Sequence, residues 1–133
     1  MIVFYDTCVH VDVLRGEEEP DSVLSVVGGG PLRMSPVVAS ELLRGARGAS
    51  VKAVEKLVSK LLPIEPPAWR KAWHEAGRAL PAVFAHHEEV GLARLQNDIL
   101  LAITARYTGA TFVTRDAHFV TIAERIPFLL VRL

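Results

Sequence analysis

A single cysteine, Cys8, stands in the 133 residues, which excludes a disulfide framework and a Cys-rich zinc site. A reducing compartment, the cytoplasm, is the expectation. Neither sign of charge prevails, with fifteen basic against fifteen acidic residues, so no global field draws in nucleic acid and any such contact must be local. Long hydrophobic runs are also missing. The longest, Ile99 to Val113, is broken by Arg106 and falls short of the ~20 residues that span a bilayer, which speaks against a membrane role. Residues 1–6 lack the basic flank of a signal peptide. Amides are nearly absent: Gln96 and Asn97 are the single Gln and the single Asn. Their depletion, with eight prolines, fits a protein from a hot environment. Motifs for nucleotide-binding loops, G-x-x-x-x-G-K-[ST] and G-x-G-x-x-G, do not occur.

Half of the residues are hydrophobic, and a chain of this length buries roughly two-thirds of its unfolded surface. One domain over residues 1–133 is expected. Short apolar runs at Ile2–Tyr5, Leu32–Met34, Thr111–Thr114 and Phe128–Val131 predict strands. Helical spacing predicts helices over Cys8–Arg15, Val23–Val27, Pro36–Arg47, Ala49–Leu62, Ala68–Leu80, Asn97–Tyr107 and Asp116–Arg125. Ser35-Pro36 is an N-cap followed by a first-position proline, Gly109 is a C-cap, and Pro81 kinks or ends its helix. Strands alternating with helices predict a parallel sheet covered on both faces. Residues 81–96, with His86-His87-Glu88-Glu89, match no pattern, and the Gly28-Gly29-Gly30 break is expected to alter the mouth of any groove.

Ligands of an open α/β sheet bind beyond the carboxyl ends of the strands. Asp6 follows the first strand, Asp116 follows Thr111–Thr114, Glu41 lies in the second turn after the second strand, and Asp98 opens the Asn97 helix. Taken singly, the aspartates read as helix caps and Glu41 as a residue reaching out from an apolar side. Together, four carboxylates in one crevice cannot all stay ionised without a cation. Acidic oxygens select hard ions such as Mg²⁺ or Mn²⁺, and such an ion suits phosphodiester hydrolysis. Asn97 and Gln96 either orient Asp98 or cap its helix. Arg15, Arg44, Arg47 and Arg115 are candidates for phosphate contacts, with surface ion pairing as the plainer role. Cys8 reads as a buried structural thiol rather than a nucleophile. His86-His87 read as loop histidines rather than metal ligands, His118 as a helix-surface residue or a substrate contact, and Trp69 with Trp73 as a packing stripe or an interface.

Asp6-Thr7 after a buried strand, Ser35 to Ala46 (S-P-V-V-A-S-E-L-L-R-G-A), Asn97 to Ala105 (N-D-I-L-L-A-I-T-A) and Gly109 to Phe119 (G-A-T-F-V-T-R-D-A-H-F) stand in that order. The set resembles PIN-domain ribonucleases, above all the VapC-type toxins of prokaryotic toxin–antitoxin pairs. The resemblance implies a three-layer α/β/α sandwich around a mainly parallel sheet. It implies that Asp6, Asp98 and Asp116 line a metal site for Mg²⁺ or Mn²⁺, that Glu41 is the remaining acid, and that Thr7 and Thr114 supply hydroxyls. Asn97 and Arg115 would stand beside the acids. An endoribonuclease cleaving tRNA or rRNA and leaving a 5′-phosphate is the implied activity. A cognate antitoxin, with an arginine against the acids, and a homodimer are the implied partners. A PIN-fold binding module without catalysis is the alternative, against which a full set of four acids argues. A haloacid-dehalogenase-type phosphatase wants an acid where Cys8 stands, and a receiver domain wants paired acids where Tyr5-Asp6 stands.

Overall fold

The computed structural model describes residues 1–86 and 91–133. Four parallel strands, β1 (Val3–Tyr5), β2 (Leu32–Arg33), β3 (Thr111–Thr114) and β4 (Leu129–Arg132), form one sheet in the order β2-β1-β3-β4. Seven helices are described: α1 (Thr7–Leu14), α2 (Pro20–Val26), α3 (Pro36–Gly45), α4 (Ser50–Lys60), α5 (Trp69–Val83), α6 (Leu92–Thr108) and α7 (His118–Arg125). None of the described helices is long and apolar enough to cross a membrane.

The period-two alternation of strand side chains divides the core. Phe4 and Phe112 point to one face, where α3 to α7 cover them in a large apolar cluster running from Val38 to Ile126. Val3, Tyr5 and Val113 point to the other, where Val9 of α1 and Val23 of α2 make a much smaller cluster. Phe112 sits at the centre of the thick layer, its ring 4.8 Å from that of Phe4 and 4.7 Å from that of Phe119. The sandwich is therefore three-layered as expected, with unequal layers.

Local signals explain most boundaries. The Asp6 carboxylate accepts from Thr7 N–H at 2.8 Å and starts α1. The Ser35 hydroxyl accepts from Val37 N–H at 3.1 Å and starts α3, with Pro36 at its first position. Gly109, at φ 72°, closes α6 in the left-handed conformation.

Four expectations need correction. The helix α6 begins at Leu92, not at Asn97, so Asp98 lies in its second turn and neither residue caps it. Asn and Asp are good cap formers, and here tertiary packing overrides that local preference. Second, Pro81, expected to kink or end its helix, does not end α5; it lies within the last turn, where its missing N–H costs one bond to the Gly77 carbonyl. Third, the triple glycine lies far from any ligand mouth. Gly30, at φ 125°, packs where a Cβ would stand 2.2 Å from the Met1 carbonyl oxygen, at the amino end of β1 and so opposite the strands' carboxyl ends. Fourth, residues 81–96 include the end of α5 and the start of α6. His86 is exposed, whereas His87, Glu88 and Glu89 lie outside the described residues.

Candidate metal centre

Parallel register places the first acid. Tyr5 pairs with Val113, so the residues after β1 and β3 leave the sheet side by side. Asp6 is 8% exposed and its oxygens are engaged by the chain itself. Thr114 Oγ1 donates to Asp6 Oδ2 at 2.7 Å, and Cys8 Sγ stands 3.6 Å from the same oxygen. Asp116 N–H in turn donates to Thr114 Oγ1 at 3.0 Å, so one threonine hydroxyl links the two aspartates. The Asp116 carboxylate accepts from His118 N–H at 2.9 Å, at the start of α7.

Asp98 arrives from the helical layer. Its place in α6, between the buried Leu95 and Leu101, carries it out of the core and over the strand ends. Asp98 is 7% exposed, and its Oδ2 is buried without a hydrogen-bond partner. Neither Gln96 nor Asn97 reaches that oxygen. Glu41 comes from α3, where the preceding turn directs Val38 fully inward; it is half-buried and accepts from Thr7 Oγ1 at 3.2 Å. A cleft of about 670 Å³ is lined by Asp6, Glu41, Asp98 and Asp116 together with Thr7, Cys8, Asn97 and Arg115. All four acids singled out in the sequence thus face one space.

Crowding of carboxylates shows in their proton affinity. Burial, followed by repulsion from Asp6 and Asp116, pushes the Asp98 carboxyl up to about 8, with Arg94 pulling the other way. Burial likewise raises Asp6, against the hydrogen bonds from Thr114, Thr7 and Cys8. It raises Glu41, against the bond from Thr7.

The donor set fits a divalent cation. An orphaned buried carboxylate oxygen has no reason to exist in a closed apolar core and is satisfied by a positive ion. Among the described residues, Asp98, Asp116 and His118 each bring one ligand atom within 4.8 Å of the others. Asp6 stands outside that triad, on the threonine side of the cleft.

Arg94 is the residue that sequence reasoning passed over. It lies one turn before Asp98 and donates from Nη2 to Asp116 Oδ2 at 3.1 Å, with its side chain 63% exposed. The i, i+4 spacing to Asp98 was available as a signal, but only with the true start of α6. The other arginines divide. Arg44 lines the same cleft, whereas Arg15 lines an adjoining groove between α1, α3 and α4. Arg47 donates to the carbonyls of Arg44 and Ala46 at the end of α3. Arg115 reaches the cleft edge but pairs with Asp12 and Glu18, the plainer of its two roles. Cys8 is half-buried on the cleft wall, and burial together with Asp6 pushes its thiol up, away from the thiolate form. Trp69 packs partly against the core while Trp73 is 46% exposed, so the stripe is split between the two roles.

Comparison with known proteins agrees with this architecture. No curated protein sequence gives a significant match. Solved structures do. VapBC-1 from nontypeable Haemophilus influenzae is similar at a TM-score of 0.70 and 19% identity, over 99% of this chain and 98% of that one. VapBC2 from Rickettsia felis, bound to a DNA fragment from its promoter, is similar at 0.63 and 20%, over 100% and 99%. FitAcB from Neisseria gonorrhoeae follows at 0.60 and 20%, over 99% and 97%. At these identities the likeness establishes the shared fold. The PIN domain family model matches residues 3–125, nearly the whole chain, and the protein therefore belongs to the PIN domain family.

Proposed function

We propose that the protein is a divalent-metal-dependent endoribonuclease of the VapC type, the toxin of a toxin–antitoxin pair. The observation that carries this reading is the buried, unpartnered Oδ2 of Asp98 amid Asp6, Glu41 and Asp116 in one cleft. Family membership and the VapBC and FitAB complexes among the solved relatives support it. The cytoplasm is the compartment where such a reaction would find tRNA or rRNA.

Asp98 and Asp116 would hold Mg²⁺ or Mn²⁺, with Asp6 completing the acidic wall. Once bound, the ion supplies a water of lowered pKa and neutralises charge developing on the phosphate. The chain's residues do the rest. Thr114 fixes Asp6 and Asp116 relative to each other through its one hydroxyl. Thr7 holds Glu41 by its Oγ1, and Glu41 would accept the proton of the attacking water. The new O–P bond forms as the bond to the sugar 3′ oxygen breaks in line; that oxygen takes a proton from solvent water and leaves as a hydroxyl, and a 5′-phosphate remains. Arg44 and Arg94, on the cleft wall, would draw in the RNA backbone. A cognate antitoxin would place its own cation against the same acids, and a homodimer is the proposed assembly.

The test uses bulk tRNA. Cleavage with 5′-phosphate ends is expected in Mg²⁺ or Mn²⁺, with loss of activity in chelator. Equal cleavage with and without chelator, or none under any condition with the fold intact, overturns the reading. The binding-module alternative predicts cation binding without cleavage.

Arg94 gives a second prediction. Its guanidinium neutralises Asp116 at the place where a cation would sit. Arg94→Ala should therefore tighten divalent-ion binding severalfold in a calorimetric titration, while raising KM for RNA. The salt dependence of RNA binding should flatten by close to one phosphate contact. Arg115→Ala, whose partners are Asp12 and Glu18, should leave that slope unchanged.

A further inference from the structure

The acids already described do not use every donor at the cleft. His118 opens α7 two residues after Asp116. Its Nδ1 is buried without a hydrogen-bond partner and lies 3.5 Å from Asp116 Oδ1. The ring does not drift on the surface: Phe84, just past α5, meets it edge-on at a centroid distance of 5.6 Å. Asp98 Oδ2, itself on a side chain 7% exposed, is the second orphaned atom beside the same carboxylate. One ligand atom from each of Asp98, Asp116 and His118 falls within 4.8 Å of the others. Three donors of one ion at bond lengths near 2.1 Å stand roughly 3–4 Å apart, so closing the triad needs a contraction on the order of 1 Å.

We propose that His118 is a metal ligand of this centre and that its imidazole nitrogen turns the site's preference from Mg²⁺ towards first-row transition ions. The inference rests on the metal-dependent reading above and deepens it. Mg²⁺ is a hard ion that favours oxygen and keeps several of its waters. Imidazole suits the borderline ions of the transition series, so exchanging one oxygen donor for a nitrogen favours them over Mg²⁺. The other donors, Asp98 and Asp116, keep enough anionic oxygen to hold either class of ion. Selectivity would then reside in one side chain beside Asp116, met edge-on by the Phe84 ring just past α5.

Mn²⁺ is the stringent probe, because it binds most weakly of the first-row series and carries an electron-spin signal. Pulsed electron-spin resonance of the protein titrated with Mn²⁺ should show coupling to a nitrogen nucleus. That coupling should vanish in His118→Ala and in His118→Gln. The Mn²⁺ Kd should rise at least tenfold in His118→Ala, while the Mg²⁺ Kd, measured by competition, changes less than threefold. Thermal melting of both variants checks that the fold persists, and the wild-type spectrum needs no variant at all. Absence of nitrogen coupling in the wild type, or an equal loss of affinity for both ions, overturns the proposal. The two readings fail separately. Nitrogen coupling without RNA cleavage sinks the nuclease and leaves His118 a ligand; cleavage in Mg²⁺ without nitrogen coupling does the reverse.

Discussion

Asp98→Asn should abolish RNA cleavage and, at the same time, make the metal-free protein harder to melt. The activity loss follows from removing an anionic donor from a centre whose cation is worth several kcal/mol, or roughly 1,000-fold in rate. The stability gain follows from the environment of the carboxylate. Its proton affinity is raised from 3.8 to about 8 by burial and by Asp6 and Asp116. An acid raised in the folded state ionises first in the unfolded chain, so stability is greatest at low pH and falls as pH climbs from 3.8 towards 8. At pH 7 the loss is on the order of 4 kcal/mol. Asparagine carries the shape without the charge and lifts it. The melting temperature without added cation should rise by roughly 10 °C for a domain of this size. An unchanged or lowered melting temperature would show that the carboxylate is not under strain. Functional groups that destabilise their own fold are a known trade-off, and this one should vanish when a saturating divalent ion is added to the wild type.

His10 should make the protein acid-sensitive once that opposing slope is removed. It lies in α1, 2% exposed, against the Tyr5 ring at 5.2 Å, with Nε2 buried and unpartnered. Burial lowers its pKa from 6.5 to about 4. For a base lowered on folding, the unfolded chain binds the proton first. Stability is therefore complete above 6.5 and is lost as pH falls towards 4, by about 3 kcal/mol. Between pH 4 and 6.5 Asp98 acts in the opposite sense, so the wild-type profile should be nearly flat there and fall from 6.5 towards 8, where Asp98 acts unopposed. Denaturant titrations from pH 4 to 8 separate the two. Asp98→Asn should expose the acid-side loss, His10→Phe should steepen the loss with rising pH, and the double variant should keep only the smaller loss that the raised Asp6 and Glu41 carboxyls contribute. Identical profiles in all four proteins would sink both assignments.

The two slopes also mark what could and could not be read from the sequence. Strand and helix types were legible because Ile2–Tyr5 and Thr111–Thr114 are unbroken apolar runs and Ser35-Pro36 is a strong start signal. The gathering of Asp6, Glu41, Asp98 and Asp116 was legible only through the rule for parallel sheets and the ordered motifs, since spacing alone does not bring distant residues together. Asn97-Asp98 misled because two cap-forming residues in succession mimic a helix start. The true start at Leu92 has no side-chain cap and follows Gly91 at φ 114°. That error hid Arg94, whose meeting with Asp116 depends on the turn of helix it belongs to. His118 was legible only as a helix-surface residue or a substrate contact. Its orientation is set by Phe84, a contact across more than thirty positions that no local pattern encodes. His10, likewise, could not be told from an exposed helical histidine until α1 lay against Tyr5.

The inequality of the two helical layers bears on how the molecule breathes. On one side β1 and β3 are shielded by the small cluster of Val9 and Val23 with partly buried side chains such as Val13, Leu24 and Val27, while the opposite side is walled by five helices. Transient opening should begin where fewest apolar contacts must separate, at α1 and α2. The residue that caps α1 is Asp6, so each such excursion would also loosen one wall of the acidic cleft. A cation held by Asp98 of α6 and by Asp116, which Thr114 ties to Asp6, would fasten the weak flank to the strong one. Occupancy of the centre would then govern how long the protein survives proteases, quite apart from any RNA it cuts.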